Sequence, residues 1–247
     1  MVPVKVIKSA LLAVCFILGL SLCSWAGDVS KVIAEADHVY GLRAYQGMAQ
    51  EAAVLYRLAL SRDKGNFEAG WKLCRALHWA GTHNRERELK LAFFREGRQV
   101  ADMLARRWPQ SVAGYYHRAL FNARILSLTR DPSLLFAIRK DLDRSLALDP
   151  DYDGGAPYWV LGGLYAKLPW YAGGDISKGV EALEKAVQAG PHRLRNHVYL
   201  AQAYLEAGKV KKARTLLAKA LACPPEPGCG PEFEEWRNRA RRLLKNH

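Results

Sequence analysis

The feature that most constrains the fold is a pattern of small, aromatic and apolar residues that returns at a fixed interval. Pro191 and Pro225 lie 34 residues apart. The positions before the two prolines match, with Ala186, Leu183 and Gly179 in one copy and Ala220, Leu217 and Ala213 in the other. The preceding segments also correspond, with Leu161, Gly162 and Tyr165 in one copy and Leu200, Ala201 and Tyr204 in the other, apart from five extra residues in the first. Small residues let two helices approach, large ones fill the groove between them, and proline ends each unit.

A 34-residue period with this order of residue types resembles the tetratricopeptide repeat. The resemblance implies an all-α, tetratricopeptide-like solenoid of helical hairpins, in which each hairpin packs on its neighbours. The composition agrees, because Ala, Leu, Arg and Glu are abundant whereas the β-branched residues are sparse.

Earlier units follow the pattern less closely. Pro109 and Pro150 continue the series at intervals of 41, so each of these units has seven additional residues. Residues of an early second helix and of the helix after it occupy repeat positions, namely Ala52, Tyr56, Ala59, Leu73, Cys74 and Leu77. We expect a long loop between Gly81 and Gly97, four to five hairpins in all, and a capping helix over 231–246.

The first 26 residues have the three parts of a secretory signal peptide. Lys5 and Lys8 precede an apolar run over 10–20, and Ser24 and Ala26 place small residues at −3 and −1 of a cut before residue 27. The apolar run is shorter than the about 20 residues that a membrane-spanning helix needs. We therefore divide the chain into a signal peptide, 1–26, and one repeat domain, 27–247, which we expect to be exported.

Lipoprotein processing is the alternative to this cut, because Cys23 stands where a lipidated cysteine would. Leu22, just before it, is larger than the residue that such processing prefers. The mature protein would contact a membrane through an anchor only if Cys23 were lipidated.

The mature chain is basic. The full sequence has 37 Lys and Arg against 24 Asp and Glu, a net charge of +13, which becomes +11 when Lys5 and Lys8 are removed. A basic exported protein can meet anionic lipids, acidic glycans or an acidic partner. No nucleic-acid recognition motif is present, so we expect no nucleic acid among the partners.

Three cysteines remain after export. Cys223 and Cys229 flank a proline-rich loop, and in an oxidising compartment we expect them to form a disulfide. Zinc is the alternative, but a structural site takes four ligands and no third Cys or His lies nearby, so we expect no metal. Cys74 lies among apolar residues and is predicted to be a small core residue.

One insertion interrupts the fourth unit. The sequence over 158–175 reads YWVLGGLYAKLPWYAGGD. Pro169 is expected to end a helix, the glycines allow a tight turn with positive φ, and Asp175 can cap the next helix. This segment, followed by Lys178, Glu181, Ala182, Leu183 and Ala186, resembles the T-component family of tetratricopeptide-repeat-associated TRAP transporters.

The resemblance implies an exported, non-catalytic accessory protein that works beside a periplasmic solute-binding protein. It implies a cleft or channel through the helices that binds or passes a small, apolar ligand, and a trimeric homo-oligomer. It implies no cofactor.

The insertion also supplies the predicted ligand-binding residues. Aromatic walls suit apolar ligands, and the candidates are Trp159, Tyr165, Trp170, Tyr171 and Asp175. Each has a structural alternative: Tyr165 and Trp159 can pack in the core, Asp175 can cap a helix, and the two loop aromatics can pack locally.

No enzyme signature occurs in the sequence. His78 and His83 are five residues apart, as are His192 and His197, which does not suit two ligands on one helical turn. There is no nucleophile elbow and no phosphate-binding glycine loop. Two functions remain: a transport accessory that binds a solute, and a periplasmic scaffold that binds proteins or peptides on its concave face during envelope assembly.

Overall fold

The structure, a computed structural model, describes residues 29–222, 224 and 230–247. These residues form α-helices α1 Val29–Gly41, α2 Met48–Arg62, α3 Phe67–His83, α4 Arg87–Arg107, α5 Val112–Thr129, α6 Leu134–Leu148, α7 Tyr152–Lys167, α8 Ile176–Ala189, α9 Leu194–Glu206, α10 Val210–Ala222 and α11 Gly230–Asn246, with a short 3₁₀ helix, Trp170–Ala172, after α7. The predicted signal peptide and the predicted disulfide between Cys223 and Cys229 lie outside the described residues.

Consecutive helices pair into hairpins, α1 with α2 through α9 with α10, and each hairpin packs on the next. The all-α solenoid of helical hairpins is confirmed, with five hairpins in the described part of the chain. Helix α11 packs on α9 and α10 as the predicted cap. Contacts also join α3 to α5, α5 to α7, α7 to α9 and α9 to α11. The first helices of the hairpins, continued by α11, therefore form one inner face.

Small residues at the predicted repeat positions let the helices approach closely. Ala52, Ala59 and Ala186 are completely buried. Leu183 and Leu217, 1% exposed, fill the grooves between the helices. One close approach is at Gly114 of α5, where an added Cβ would lie 2.4 Å from the backbone nitrogen of Ala105 in α4. Cys74 is also completely buried, as the sequence predicted.

The long units carry their extra residues in helices rather than in loops. The expected long loop between Gly81 and Gly97 is wrong, because α3 continues to His83 and α4 begins at Arg87. Helix α4 contains 21 residues and α5 contains 18. The sequence between these glycines has apolar residues at helical spacing, and burial of Phe94 holds the start of α4 against α3.

The insertion in the fourth unit folds as predicted. Pro169 follows α7, Gly173 has a φ of 82°, and the Asp175 side chain accepts hydrogen bonds from the backbone N–H groups of residues 177 and 178 at the start of α8. The Arg139 guanidinium of α6 donates to the carbonyls of Ala172 and Gly173, at 3.3 and 3.1 Å. The loop is therefore held against α6.

Helix α7 begins with a tight turn that positions an acidic side chain on the inner face. Asp153, Gly154 and Gly155 all have positive φ, of 47°, 64° and 75°. The amide of Asn196 in α9 donates to the carbonyls of Gly154 in α7 and Ala186 in α8, at 2.9 and 2.7 Å, and so joins the turn to the next hairpin. Among the described residues, no helix is long and apolar enough to cross a membrane.

Candidate functional site

The inner face surrounds a cavity of about 650 Å³. Its walls come from α1, α3, α5, α7, α9 and α11 and from the loops next to them, so every hairpin contributes through its first helix. Sites for small molecules commonly occupy about 300–1,000 Å³. This cavity is therefore the candidate functional site.

Contacts between the first two hairpins and α11 close one side of the cavity. The Arg43 guanidinium, after α1, forms a two-point ion pair with the Glu232 carboxylate of α11, and its Nε lies 3.0 Å from Oε1. Arg43 is buried, and it also donates to the Tyr40 carbonyl at 3.1 Å. The Trp79 indole of α3 in turn donates to the Arg43 carbonyl at 2.8 Å. Helix α11 is thus joined to the first two hairpins.

A second contact reinforces the closure. His83 Nε2 lies 3.2 Å from a Glu235 carboxylate oxygen, and its Nδ1 lies 3.0 Å from the Trp79 carbonyl. Both partners are acceptors, so the geometry suits an imidazolium that donates from both nitrogens. Burial lowers the pKa of His83, but these hydrogen bonds outweigh it, and the pKa lies above its ordinary value. The hydrogen bond from His83 lowers the pKa of Glu235.

Aromatic side chains form much of the cavity wall. Those from the N-terminal half and α11 are Tyr40, Phe67, Trp71, Trp79, Phe233 and Trp236, and those from α5 and α7 are Tyr116, Tyr152 and Trp159. The rings of Tyr116 and Tyr152 are 5.3 Å apart, and Trp159 meets Tyr199 edge-on at 5.3 Å. Such walls suit the apolar body of a ligand.

The charged part of the wall has more cations than anions. Five arginines and three acids line the cavity, namely Arg43, Arg75, Arg124, Arg193, Arg195, Asp153, Glu232 and Glu235. Asp153 pairs with both Arg193, at 2.9 Å, and Arg195, at 3.8 Å. Within the described part of the chain, Arg75 and Arg124 form no ion pair; Arg75 lies over the rings of Tyr40 and Trp71 instead.

Two histidines of the wall are neutral. Arg124 Nε donates to His78 Nε2 at 3.2 Å, which requires an unprotonated acceptor nitrogen. Burial lowers the pKa of His78, and the nearby Arg124 lowers it further. Burial also lowers the pKa of His117 to about 4. The permanent positive charge of the wall therefore comes from guanidinium groups.

The structure separates the predicted ligand-binding residues. Trp159 is 5% exposed and lines the cavity. Tyr165 is half-buried, lies beside the Arg139 guanidinium at 5.7 Å and is not part of the cavity wall. Trp170 and Tyr171 stand on the outer surface, 85% and 77% exposed, and Asp175 caps α8.

Sequence reasoning missed the arginines, the histidines and Asp153 of the wall. One signal was present: Arg193 and Arg195 stand at the start of α9, where the positive end of the helix dipole disfavours cations, and no acidic residue occurs in that first turn. Asp153 at positive φ next to two glycines was a second signal. Within residues 29–222, 224 and 230–247, no three His, Cys, Asp or Glu side chains converge as metal ligands would.

Comparisons with known proteins agree with the fold. The sequence model of the TRAP transporter T-component family matches residues 86–247. A thermophilic TPR protein of Thermus thermophilus superposes with a TM-score of 0.67 at 21% identity, over 88% of this chain and 100% of that one. MamA from residue 41 to the end, of Desulfovibrio magneticus RS-1, superposes with a TM-score of 0.51 at 20% identity, over 79% and 94% of the two chains. No curated protein sequence matches the chain.

Proposed function

Because the chain belongs to the TRAP transporter T-component family, we propose that it is an exported accessory protein of a TRAP-type solute transport system. In this proposal it works in the periplasm, binds or passes a small ligand in its central cavity, and contacts the solute-binding protein of the same system. The function needs no catalytic residue and no cofactor.

The cavity is the observation that carries the proposal. Its volume of about 650 Å³ suits a small molecule, and its aromatic wall suits an apolar body. The ion pair between Arg43 and Glu232 lies across the place where an open solenoid would admit an extended chain. This closure favours a small ligand over the alternative of a scaffold that binds peptides along an open concave face.

The insertion supplies the surface that we assign to the solute-binding protein. Trp170 and Tyr171 are exposed, with ring centroids 6.0 Å apart. Phe136, 78% exposed, lies one helical turn before Arg139, which holds the loop against α6. Large aromatic side chains that face solvent are typical of a surface that binds a protein. We name this set, Phe136, Trp170 and Tyr171, the aromatic patch.

Two experiments test the two halves of the proposal. N-phenyl-1-naphthylamine, an uncharged apolar fluorophore, should bind the mature protein one-to-one with enhanced emission. Failure of this probe and of its sulfonated analogue, 8-anilino-1-naphthalenesulfonate, to bind would contradict the ligand-binding half.

Calorimetry with the solute-binding protein encoded nearest to its gene tests the partner half. The double variant Trp170→Ala and Tyr171→Ala should weaken that contact by about 1–3 kcal/mol, the value of buried aromatic surface. The melting temperature should change little, because both side chains are exposed. A variant that melts several degrees early yet binds its partner normally would show that the aromatic patch is structural.

The assembly and the anchor are also part of the proposal. The family resemblance implies a trimer, and light scattering at micromolar concentration should return a multiple of the mass of the mature chain.

Mass spectrometry of the exported protein should find an N-terminus at residue 27, whereas a lipid mass on residue 23 would establish lipoprotein processing.

A further inference from the structure

The wall of the cavity contains buried hydrogen-bond donors without partners among the described residues. They belong to neighbouring helices: Trp159 Nε1 in α7, and Nε and Nη2 of Arg195 in α9. His117 Nδ1 in α5 is also buried without a partner. Buried polar groups in native proteins are nearly always hydrogen-bonded, so donors without a protein partner at the cavity wall are suited to bind an acceptor group of a ligand.

The free nitrogens of Arg195 have a specific geometry. Nε and Nη2 form one edge of the guanidinium, and the two N–H bonds on this edge are parallel. This fork matches the two oxygens of a carboxylate. The guanidinium carbon lies 4.4 Å from the centroid of the Trp159 ring, so stacking on the indole fixes the direction of the fork.

Asp153 does not fill this fork. Its Oδ2 is 3.8 Å from Arg195 Nη2, beyond hydrogen-bond distance, while its Oδ1 pairs with Arg193 at 2.9 Å. One carboxylate is thus shared between two guanidinium groups.

Arg124 adds to the same positive region. Arg124 and Arg195 both act on the His78 imidazole and the Tyr116 phenol, which places their charges around one part of the cavity. The side chains that face this region from the helices around it are Arg124, His117 and Tyr116 of α5, His78 of α3, Asp153 at the start of α7, and Arg193 and Arg195 at the start of α9. Glu235 of α11 also lies near Arg124, which lowers its pKa, so the acids among these described side chains are Asp153 and Glu235.

We propose that the cavity holds an organic anion, whose carboxylate or similar group binds the fork of Arg195 and the Trp159 indole N–H while its apolar body lies along the aromatic wall. This inference rests on the proposed ligand-binding function and names the chemical class of the ligand. His117 can add one neutral N–H donor, and Arg124 contributes positive charge without an ion pair of its own in the described part of the chain.

The test compares two fluorophores that share one apolar skeleton. 8-Anilino-1-naphthalenesulfonate carries an anionic group, and N-phenyl-1-naphthylamine lacks it. The wild-type protein should bind the sulfonate at least about tenfold more tightly, as expected for charge-assisted hydrogen bonds. Octanoate should displace the sulfonate at concentrations where octanol does not.

Variants separate the anion contacts from the rest of the cavity. Arg195→Gln should lose about tenfold in sulfonate affinity while N-phenyl-1-naphthylamine binds within about twofold of wild type. Trp159→Phe keeps an aromatic ring of smaller size and removes the N–H, so a smaller loss of sulfonate binding is expected. Arg241→Gln, an exposed charge on α11 outside the cavity, is the matched control and should change neither probe.

Asp153→Asn tests the competing carboxylate. Asn tolerates the positive φ at this position. If the fork accepts a ligand, removal of the acid should strengthen sulfonate binding. If Asp153 is the true partner of Arg195, the variant should lose thermal stability with no gain in sulfonate affinity, which contradicts the inference.

The remaining outcomes are distinct. Equal affinity for the two fluorophores, unchanged in Arg195→Gln and Trp159→Phe, would overturn the anion site and leave the proposed apolar cavity intact. No binding of either fluorophore to wild type would overturn the proposed function itself. Circular dichroism of each variant establishes that it is folded, and Arg195→Lys, which retains the charge and loses the fork, replaces Arg195→Gln if that variant does not fold.

Discussion

The inner face of the array and the grooves between its hairpins are built in opposite ways. The grooves contain alanine, glycine and leucine, completely buried and in close contact, as Gly114 and Leu104 illustrate. The inner face contains large aromatic and charged side chains around about 650 Å³ of space, and several of its buried donors lack partners among the described residues. Stability is therefore expected to reside in the grooves and ligand recognition on the inner face.

The largest loss of folding stability should follow from adding a side chain where two helices of a groove are in close contact. Gly114→Ala would place its Cβ 2.4 Å from the backbone nitrogen of Ala105, and backbone cannot move aside as a side-chain end can. We expect a loss of about 3 kcal/mol in the free energy of unfolding, measured by urea denaturation. Gly163→Ala is the control, because its Cβ would meet only Tyr199 at 3.8 Å. That variant should gain up to about 1 kcal/mol from helix propensity.

A buried ion pair outside the cavity should give the next effect. Arg118 of α5 makes two hydrogen bonds, of 2.8 and 2.7 Å, to the buried carboxylate of Asp141 in α6. Arg118→Met should cost about 2 kcal/mol of unfolding free energy, because the buried carboxylate loses its partner; the loss is moderated because the Arg118 side of the pair is partly exposed. The matched control is Arg57→Met, which breaks a half-exposed pair with Glu96 and should cost less than about 1 kcal/mol. Equal losses of unfolding free energy in the two variants would show that burial does not make the Arg118 pair more important for stability than the Arg57 pair.

The cysteines provide a chemical comparison. Cys74 belongs to the groove core, where burial raises the pKa of its thiol, so it should be inert in the native protein. Protein from an oxidising compartment should show one reactive thiol after denaturation, because Cys223 and Cys229 are predicted to be joined. Reduction should cost about 2 kcal/mol by the loop-entropy relation. Three reactive thiols in unreduced material would contradict the disulfide.

The smallest effect concerns the pH dependence of the closure. Because the pKa of His83 is raised in the folded protein, the stability that this residue contributes is fully present below the ordinary histidine pKa. This stability is lost as pH rises through the raised value. Because the pKa of Glu235 is lowered, the stability that this residue contributes is fully present above the ordinary carboxyl pKa. This stability is lost as pH falls through the lowered value. The contact should be firmest between roughly pH 4.5 and 6.5. Hydrogen exchange of α11 amides, corrected for intrinsic rate, should speed up from pH 6 to pH 8, and His83→Gln should abolish this difference.

The sequence predicted the grooves because they repeat. Leu183 and Leu217 stand at one register of the 34-residue period, and the side chain at that register faces the groove in every unit. Asp175 and Gly173 were predictable for a related reason, since capping and positive φ are local requirements of a turn.

The inner face could not be predicted in this way. Asp153 and Arg195 are 42 residues apart, and their meeting depends on the packing angle between two successive hairpins. Trp170 was identified as a loop residue, but no periodicity fixes which way a loop side chain points, and it faces solvent. Residues 81–97 were misjudged because unit length alone does not distinguish a longer helix from a longer loop.

The ion pairs from Arg43 and His83 to α11 have a consequence for how the chain folds. A solenoid ordinarily has only short-range contacts, and its units can fold and unfold one after another. These two contacts join residues 189 and 152 positions apart. Contacts of such sequence separation form late, after the chain between them is ordered. A nascent molecule therefore has every hairpin before this side of the cavity is closed, and deletion of α11, Gly230–Asn246, would expose more of the aromatic wall to water.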